Sequence, residues 1–259
     1  MGVRYTQPQT LVGIDWSNPI TRGLLVAVNG ATLTDLVSGK LVTQVGSSAK
    51  VVSQKGVSYN FDGSSYVSVP ISWAAGPYTL FSFGVSTSNA SNQIYCGIAN
   101  SGSSTHTAEI YREKTNSSAL FIEITGGSSA QTTNVPNSSS INNFYAIAGV
   151  AYATNNRVCY VNGVAIASVS STLSFVSAID VFNVGVERYS GALAGKFIGA
   201  IPVSCLWTRA LSGTEVKSLS DNPWQIFAPI QRRIWVPASV ASGFKSAWAR
   251  DANSVLQLG

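Results

Sequence analysis

The dipeptide Asn162-Gly163 constrains the fold of this chain more than any other local feature, because it separates two strand-like apolar runs within residues 157–169. Both central residues of a tight two-residue turn must reach positive φ, which only Gly, Asn and Asp do at low cost. Further β-rich runs lie on either side, at residues 144–156 and 180–189. The pattern therefore predicts a β-hairpin within a series of antiparallel strands rather than a βαβ arrangement.

Similar turn and strand signals continue along the chain. The dipeptide Asp62-Gly63 is flanked by aromatic and β-branched residues and predicts a second hairpin. Residues 77–88 and 92–100 are predicted to pair across a Ser/Asn loop. Between residues 119 and 124 every second residue is Leu or Ile, which predicts a strand with one buried face and places Phe121 and Glu123 on the outward face.

One short helix is predicted near the C-terminal end of the chain. Ser212 with Glu215 three residues later forms a capping-box pattern, and Asn222-Pro223 ends the helix. Before it, Pro202 lies within a long strand-like run and marks an edge or a bulge, because proline cannot donate to a β-ladder. Since all-β domains of this size often form a single core, we expect three parts. These are an N-terminal arm at 1–22, one β-domain at 23–222 and an extended tail at 223–259.

Charged residues are scarce in this sequence. They make up 10% of the chain, against about 25% in ordinary soluble proteins. Residues 63–108 and 124–156 contain no Asp, Glu, Lys or Arg. Either the surface is coated with Ser, Thr and Asn, or much of it is buried in an assembly. The second explanation predicts a homo-oligomer.

The charge balance and the cysteines exclude several classes of protein. The net charge is +5, but the basic residues are scattered apart from Arg232-Arg233, so no nucleic-acid partner is predicted. No apolar run approaches the roughly 18 residues that a membrane span needs. Cys96, Cys159 and Cys205 are odd in number and lie in apolar runs, as buried free thiols do. With no apolar signal-peptide core at Met1, we expect folding in a reducing cytoplasm.

Catalytic chemistry has little support in the sequence. Glycoside hydrolysis needs two carboxyl groups about 5 Å or about 6.5–9.5 Å apart. Glu109 and Glu113 face the same side of a strand-like run but lie about 13 Å apart at about 3.3 Å per residue, so both are predicted to be solvated. His106 is the single histidine, and no nucleophile motif accompanies it. We therefore predict no enzymatic activity and no catalytic residue.

Metal and ligand sites are equally hard to derive. Calcium needs several converging oxygens, and the sequence does not bring Asp62, Asp180 and Glu187 together, so neither a metal site nor a cofactor is predicted. A carbohydrate site needs exposed aromatic rings with polar neighbours. By alternation the candidate rings are Tyr95, Tyr111, Phe121 and Trp73. The alternative is that these rings form the core of a sandwich.

The C-terminal tail combines large aromatic residues with prolines, which fix an extended course and remove backbone donors. We expect residues 224–235 to pack on the domain's own sandwich. Phe244 and Trp248 stand four apart, as on one face of a short helix. These two residues, together with Arg232 and Arg233, are predicted to contact a neighbouring subunit.

Five segments resemble, in the same order, pieces of the laminin-G-like, concanavalin A-like jelly-roll domains of bacterial and phage proteins. They are YNFDGSSYVSVP, YTLFSFGV, NNFYAIAGVAY, RVCYVNGVAIAS and GKFIGAIPVSCLWTRALSGTEVKSL. The resemblance implies an all-β fold: a two-sheet antiparallel jelly-roll sandwich with one short helix near the C-terminus and extended terminal arms. In this chain Phe144-Tyr145 replaces the usual Trp, and Pro202 replaces a frequent acidic residue, which counts against a family calcium or ligand site at that edge.

The flanking segments DWSNPITRGLLVAV and NPWQIFAPIQRRIWVP are similar to those around such domains in tailed-bacteriophage virion proteins. This resemblance implies a non-enzymatic virion structural protein, such as a capsid decoration or accessory protein that displays the jelly roll. The expected partners are further copies of the chain, with a trimer favoured, and virion proteins such as the major capsid protein. The expected location is the virion, after assembly in the bacterial host cytoplasm. The alternative function is a phage or bacterial lectin that binds host surface glycans.

Overall fold

Two antiparallel β-sheets packed face to face make up most of the structure, a computed structural model that describes residues 7, 12–46, 49–53, 55–103, 106–132, 135–189 and 192–229. The strands are β1 (Val12–Ile14), β2 (Leu24–Asn29), β3 (Thr43–Val45), β4 (Ala49–Ser53), β5 (Gly56–Asp62), β6 (Tyr66–Trp73), β7 (Tyr78–Ser86), β8 (Gln93–Ala99), β9 (His106–Arg112), β10 (Ala119–Thr125), β11 (Ser128–Gln131), β12 (Phe144–Ala153), β13 (Asn156–Val161), β14 (Val164–Val169), β15 (Ile179–Val184), β16 (Glu187–Tyr189), β17 (Ala192–Ala194), β18 (Ile198–Trp207) and β19 (Phe227–Pro229). A helix, α1 (Gly213–Asp221), precedes β19. The predicted all-β sandwich with one short helix is confirmed.

The strand order shows how the chain alternates between the sheets. The seven-stranded sheet has the order β11-β10-β9-β8-β15-β6-β3, and the eight-stranded sheet has the order β14-β13-β12-β7-β18-β5-β4, with β2 also paired to β18. Two smaller two-stranded sheets are formed by β1 with β19 and by β16 with β17. None of the helices in the described part of the chain is long and apolar enough to cross a membrane.

The turn at Asn162-Gly163 joins β13 to β14 as predicted. Asn162 has φ 50° and Gly163 has φ 77°, the pair of positive values that a type I′ turn requires. The strands on either side pair from Val161 with Val164 to Arg157 with Val169, with one register shift between Cys159 and Tyr160. The hairpin prediction is therefore confirmed.

The second predicted hairpin, at Asp62-Gly63, is wrong. Strands β5 and β6 flank this turn but belong to opposite sheets. The Asp62 carboxylate accepts hydrogen bonds from the backbone N–H groups of Ser64 and Ser65, at 2.8 and 2.9 Å. These bonds close the turn without requiring its strands to pair. The predicted pairing of residues 77–88 with 92–100 is wrong for the same reason, because β7 and β8 lie in different sheets.

The main core lies between the two sheets and contains large side chains from both. Strand β10 contributes its odd-numbered residues: Phe121 is buried and its ring lies 6.0 Å from that of Tyr78, while Glu123 is also buried. The prediction that Phe121 and Glu123 face outward is therefore wrong. Side chains do alternate along β10 as predicted, but the two faces are exchanged. Ala119 and Phe121 point into the inter-sheet core.

An ion pair between Glu123 and Arg157 links the sheets inside this core, with both side chains fully buried. The carboxylate also accepts a bond from the backbone N–H of Val176 at 2.8 Å. The guanidinium donates to the carbonyl oxygens of Thr154 and Leu173, at 2.8 and 2.7 Å. This network explains how an acidic residue can replace an apolar one at this position, since each charge has several partners.

A second apolar layer covers the outer face of the eight-stranded sheet. It contains Val216 and Leu219 of α1 together with Trp207, Trp224 and Phe227. The capping box of Ser212 and Glu215 is present at the start of the helix, as predicted. Packing of the first part of the tail on the sandwich is confirmed for Trp224 and Phe227, while Trp235 lies outside the described residues.

Pro202 lies inside β18, where the pairing of this central strand changes. Residues Ile198–Ile201 pair with β5, and Val203–Trp207 pair with β2. Opposite β7 the register shifts between Ala200 and Val203, which is the predicted bulge. All three cysteines are buried and free, as expected.

Candidate functional site

The outer face of the seven-stranded sheet differs from that of its partner because α1 and the apolar layer lie on the other side of the molecule. Ala108 and Ile110 of β9 point into the inter-sheet core. Glu109 and Tyr111 therefore point to the outer face, since successive side chains alternate along a strand. Tyr111 packs there in a small cluster with Ile94, Leu120 and Ile122.

A row of small and polar residues crosses this face next to the cluster. The strand register aligns Glu109 on β9, Gly97 on β8, Asn183 on β15 and Ser68 on β6. The Ser68 hydroxyl donates to Asn183 Oδ1 at 2.6 Å. A Cβ atom added at Gly97 would lie 2.8 Å from the carbonyl oxygen of Ala108 and 3.0 Å from Glu109 Cβ. This position therefore requires glycine.

A second carboxylate reaches the row from the ribbon of β16 and β17, which contacts β8 and β9. It belongs to Glu187, the first residue of β16. Glu187 Oε2 would lie 3.2 Å from a Cβ atom added at Gly195, and Ile94 Cγ1 would lie 2.7 Å from the same atom. Gly195 has φ +53°. Both the close contact with Ile94 and the positive φ therefore favour glycine at position 195.

The two carboxyl groups are harder to ionise than exposed glutamates. Burial raises the pKa of Glu109 well above its ordinary value, and the charge of Glu187 raises it further. Burial also raises the pKa of Glu187, which is half-buried. Within the described ranges, neither carboxylate has an ion-pair partner. The pair therefore retains a proton to higher pH than an isolated glutamate does.

Tyr111 shares this environment. Burial, followed by the charge of Glu109, raises the pKa of its phenol. The hydroxyl stays protonated and is available as a hydrogen-bond donor. Among the four aromatic residues predicted from the sequence, Tyr111 is the one whose surroundings resemble a binding site.

The other three predicted rings lie elsewhere. Tyr95 and Phe121 are fully buried in the inter-sheet core, so they present no face to a ligand and the core alternative applies to them. Trp73 is half-buried and its ring lies 5.3 Å from that of Tyr78. Trp16, which is not among the predicted rings, is 61% exposed in the turn after β1.

The acidic residues considered in the sequence analysis also have surroundings that differ from those predicted. Glu109 is buried rather than solvated, and Glu187 rather than Glu113 is its neighbour. Asp62 is bonded to Ser64 and Ser65, and Asp180 accepts bonds from the backbone and hydroxyl of Ser101, at 2.7 and 2.6 Å. These acids are thus held at separate places. No group of three or more metal-ligating residues occurs in the parts of the chain that the structure describes.

The four predicted assembly residues, Phe244, Trp248, Arg232 and Arg233, lie outside the described residues. Their proposed contacts with a neighbouring subunit remain predictions.

Comparisons with known proteins agree with this architecture. Residues 61–217 match the family profile described as the concanavalin A-like lectin/glucanases superfamily, Laminin_G_3. No curated protein matches the sequence. Domain 4 of AbnA, an extracellular arabinanase from Geobacillus stearothermophilus solved with arabinotriose, is similar with a TM-score of 0.63 and 14% identity. The similarity covers 76% of this chain and 98% of that domain.

Two further structures are similar over smaller shares of their own length. The binding domain of botulinum neurotoxin serotype G has a TM-score of 0.53 and 15% identity, over 76% of this chain and 50% of that one. A NanB sialidase variant from Streptococcus pneumoniae has a TM-score of 0.50 and 18% identity, over 68% of this chain and 27% of that one. At these identities the similarity concerns the fold.

Proposed function

This chain belongs to the concanavalin A-like lectin/glucanases superfamily, and from that premise we propose that it binds carbohydrate on the outer face of its seven-stranded sheet. The observation that carries the proposal is the carboxyl pair of Glu109 and Glu187, which no ion pair neutralises within the described residues. Burying polar groups without partners costs free energy, so perturbed pairs of this kind concentrate at functional sites. Sugar hydroxyls would donate hydrogen bonds to these carboxyl oxygens.

The polar row has the length of a short oligosaccharide, with Glu109 and Asn183 buried and Ser68 half-buried. The row from Glu109 to Ser68 crosses four strands, or about 14 Å at about 4.8 Å per strand spacing. Asn183 offers both donors and an acceptor, and Ser68 offers a hydroxyl. Next to the row, Tyr111, Ile94 and Leu120 are buried and Ile122 is half-buried, so Ile122 is the cluster residue that offers apolar surface to a sugar ring.

We propose binding without cleavage. A glycosidase needs one carboxyl group held protonated as the acid and another held ionised, so the environments of the two must push their pKa values apart. Here burial raises the pKa of both Glu109 and Glu187. The pair therefore lacks the asymmetry of an acid and a nucleophile.

A glycan array that includes arabinotriose, the ligand of the Geobacillus domain, tests the proposal, followed by calorimetry with the best ligand. Glu109→Gln preserves the shape of the side chain but removes an acceptor oxygen, and we expect it to weaken binding about tenfold. Asn183→Ala should have a similar effect. Asp221→Asn removes a carboxylate from α1 and should leave the affinity unchanged.

Equal binding by Glu109→Gln and wild type would exclude this face as the site. An assay that measures reducing ends released from the same oligosaccharides distinguishes binding from cleavage. Turnover that disappears in Glu109→Gln would overturn the proposal that the protein is not an enzyme.

The resemblance of the entry and tail segments to those of tailed-phage proteins supports a second proposal, concerning location. We propose that the domain is displayed on a phage particle and that the segment after Pro237 docks on a neighbouring subunit. Mass spectrometry of purified particles from the producing culture tests it. Absence of the protein from those particles would contradict the virion location without affecting the carbohydrate proposal.

A further inference from the structure

Exposed apolar side chains concentrate in one segment of the chain that includes two edge strands of the sandwich. Seven large hydrophobic residues are exposed in the described part of the chain, and five of them fall between residues 33 and 52. We call these five the edge surface: Leu33, Leu41, Val45, Val51 and Val52.

The edge surface surrounds two strands that end their sheets. Strand β3 is the last strand of the seven-stranded sheet, and β4 is the last strand of the eight-stranded sheet. Every residue of β3 is exposed, as are the first four residues of β4.

Strand β4 is unusual because neither of its faces is covered. Val51 and Val52 are adjacent and so point to opposite faces, yet they are 37% and 81% exposed. Among the described strands, β4 pairs only with β5. An apolar edge strand that is exposed in this way is a template for pairing with another chain.

Within residues 31–56, the segment that carries the edge surface, the exposed charges have one sign. Lys40, Lys50 and Lys55 are exposed, and the only acid between residues 31 and 56 is Asp35. Asp35 is buried and its carboxylate accepts a bond from the backbone N–H of Ala27 at 2.9 Å. Lys50 Nζ donates to the carbonyl oxygen of Ala31 at 2.8 Å. That lysine is therefore folded back onto its own chain.

Lysines on edge strands often serve to prevent aggregation, but the folded-back Lys50 is poorly placed for that purpose. Charge disfavours two possible occupants of the edge surface. A second copy would bring lysines against lysines, and the chain's own residues 230–259 hold four basic residues and one acid. We propose that the edge surface binds an extended acidic segment of another protein, which adds a strand beside β4.

Such a segment would gain main-chain hydrogen bonds from the free edge of β4 and would cover Val51 and Val52. Its acidic residues would lie near Lys40 and Lys55, where unlike charges speed association and fix orientation. Strand β4 belongs to the eight-stranded sheet, whereas the proposed carbohydrate site lies on the seven-stranded sheet, so each proposal can fail without the other.

Fluorescence anisotropy with the full chain tests the proposal. The probe is a short labelled peptide of alternating Val and Thr with two Asp residues at each end. Val52→Asp should weaken binding about tenfold or more, because it places a like charge at the centre of the strand. The matched control is Val164→Asp, since Val164 is 60% exposed on β14, the strand at the other end of the same sheet. That variant should change the affinity by less than about twofold.

Three results would overturn the proposal. One is equal binding of a peptide that carries Lys in place of Asp. Another is an equal loss of affinity in Val164→Asp. The third is a dimer, detected by light scattering without peptide, that Val52→Asp dissociates, because the occupant would then be a second copy of the chain.

Discussion

The buried carboxyl groups of this chain are of two kinds. Glu123 has a guanidinium and a backbone N–H as partners, and Asp35 accepts bonds from the backbone N–H groups of Ala27 in β2 and of Ser38. Glu109 lies near the Glu187 carboxyl group and the Tyr111 phenol and has no ion-pair partner within the described residues. The first kind is consistent with a role in holding the fold together, and the second kind with a role in binding. Measurements of stability can distinguish them.

Removing one partner of the Glu123–Arg157 pair should be strongly destabilising. Glu123→Leu leaves the Arg157 charge buried without compensation, which typically costs about 3–5 kcal/mol. The double variant Glu123→Leu/Arg157→Leu should regain a large part of this loss. Urea unfolding measures both. A double variant less stable than either single variant would show that the pair itself, and not charge compensation, stabilises the core.

Stability should depend on pH through Glu109. Because its folded-state pKa lies above the ordinary 4.5, the folded chain retains a proton that the unfolded chain releases. This contribution to stability is complete below the unfolded-state value and is lost as pH rises through the raised pKa. Glu109→Gln stays neutral at every pH. Its unfolding free energy should therefore exceed that of wild type by an amount that grows with pH.

Thermal unfolding between about pH 4 and pH 8 measures this difference, with Asp221→Asn as the control. A constant difference between Glu109→Gln and wild type over the whole range would mean that Glu109 ionises normally in the folded protein.

At the scale of the elements, the turn between β13 and β14 shows how a single position can fix a hairpin. Gly163 has φ +77°, and an added Cβ atom would lie 2.7 Å from Lys217 Cα in α1. The turn is thus shaped by its own backbone and by the helix packed against it. Glycine meets both requirements.

We expect Gly163→Val to cost more than about 1–2 kcal/mol, the range for forcing a β-branched residue to positive φ. Gly39→Val is the matched variant, because Gly39 has φ +70° and no atom within 4 Å of an added Cβ. The difference between the two variants isolates the contact with α1. An unchanged midpoint of denaturation for Gly163→Val would refute the role assigned to this turn.

The sequence predicted local features well and non-local ones poorly. Asn162-Gly163 and the Ser212 capping box depend on a few adjacent residues, and both are present. Asp62-Gly63 has the same local chemistry as a hairpin, but whether its flanking strands pair depends on strands far along the chain. The site is a similar case, because spacing predicted that Glu109 is solvated and about 13 Å from Glu113, whereas the fold buries Glu109 beside Glu187.

For the whole molecule, residues 63–108 and 124–156, which contain no charged residue, have a simpler explanation than a surface coated with Ser, Thr and Asn or burial in an assembly. They include β7, β8 and β12, which are central strands and are almost entirely buried. Strands β7 and β12 carry side chains of the inter-sheet core on one face and of the helix-side layer on the other. Burial within one chain thus accounts for much of the missing charge, and the homo-oligomer remains a prediction.

The tail should divide into a part needed for folding and a part that is not. A chain that ends after Pro237 keeps Trp224 and Phe227, so we expect a near-native melting temperature and loss of assembly. A chain that ends after Pro223 loses both side chains, each worth about 1.5–3 kcal/mol when buried, and should melt at lower temperature. Calorimetry and light scattering measure the two effects. Unfolding of the longer truncation would show that later residues belong to the core.

The three cysteines lie in different layers of the sandwich. Cys96 and Cys159 are between the sheets, whereas Cys205 lies in the layer beneath α1. Burial raises the pKa of each thiol, to about 12 for Cys159, so none reacts readily in the closed protein. Alkylation kinetics would therefore report how the layers separate. One common rate would indicate cooperative opening, and early modification of Cys205 alone would measure the free energy at which the helix-side layer detaches.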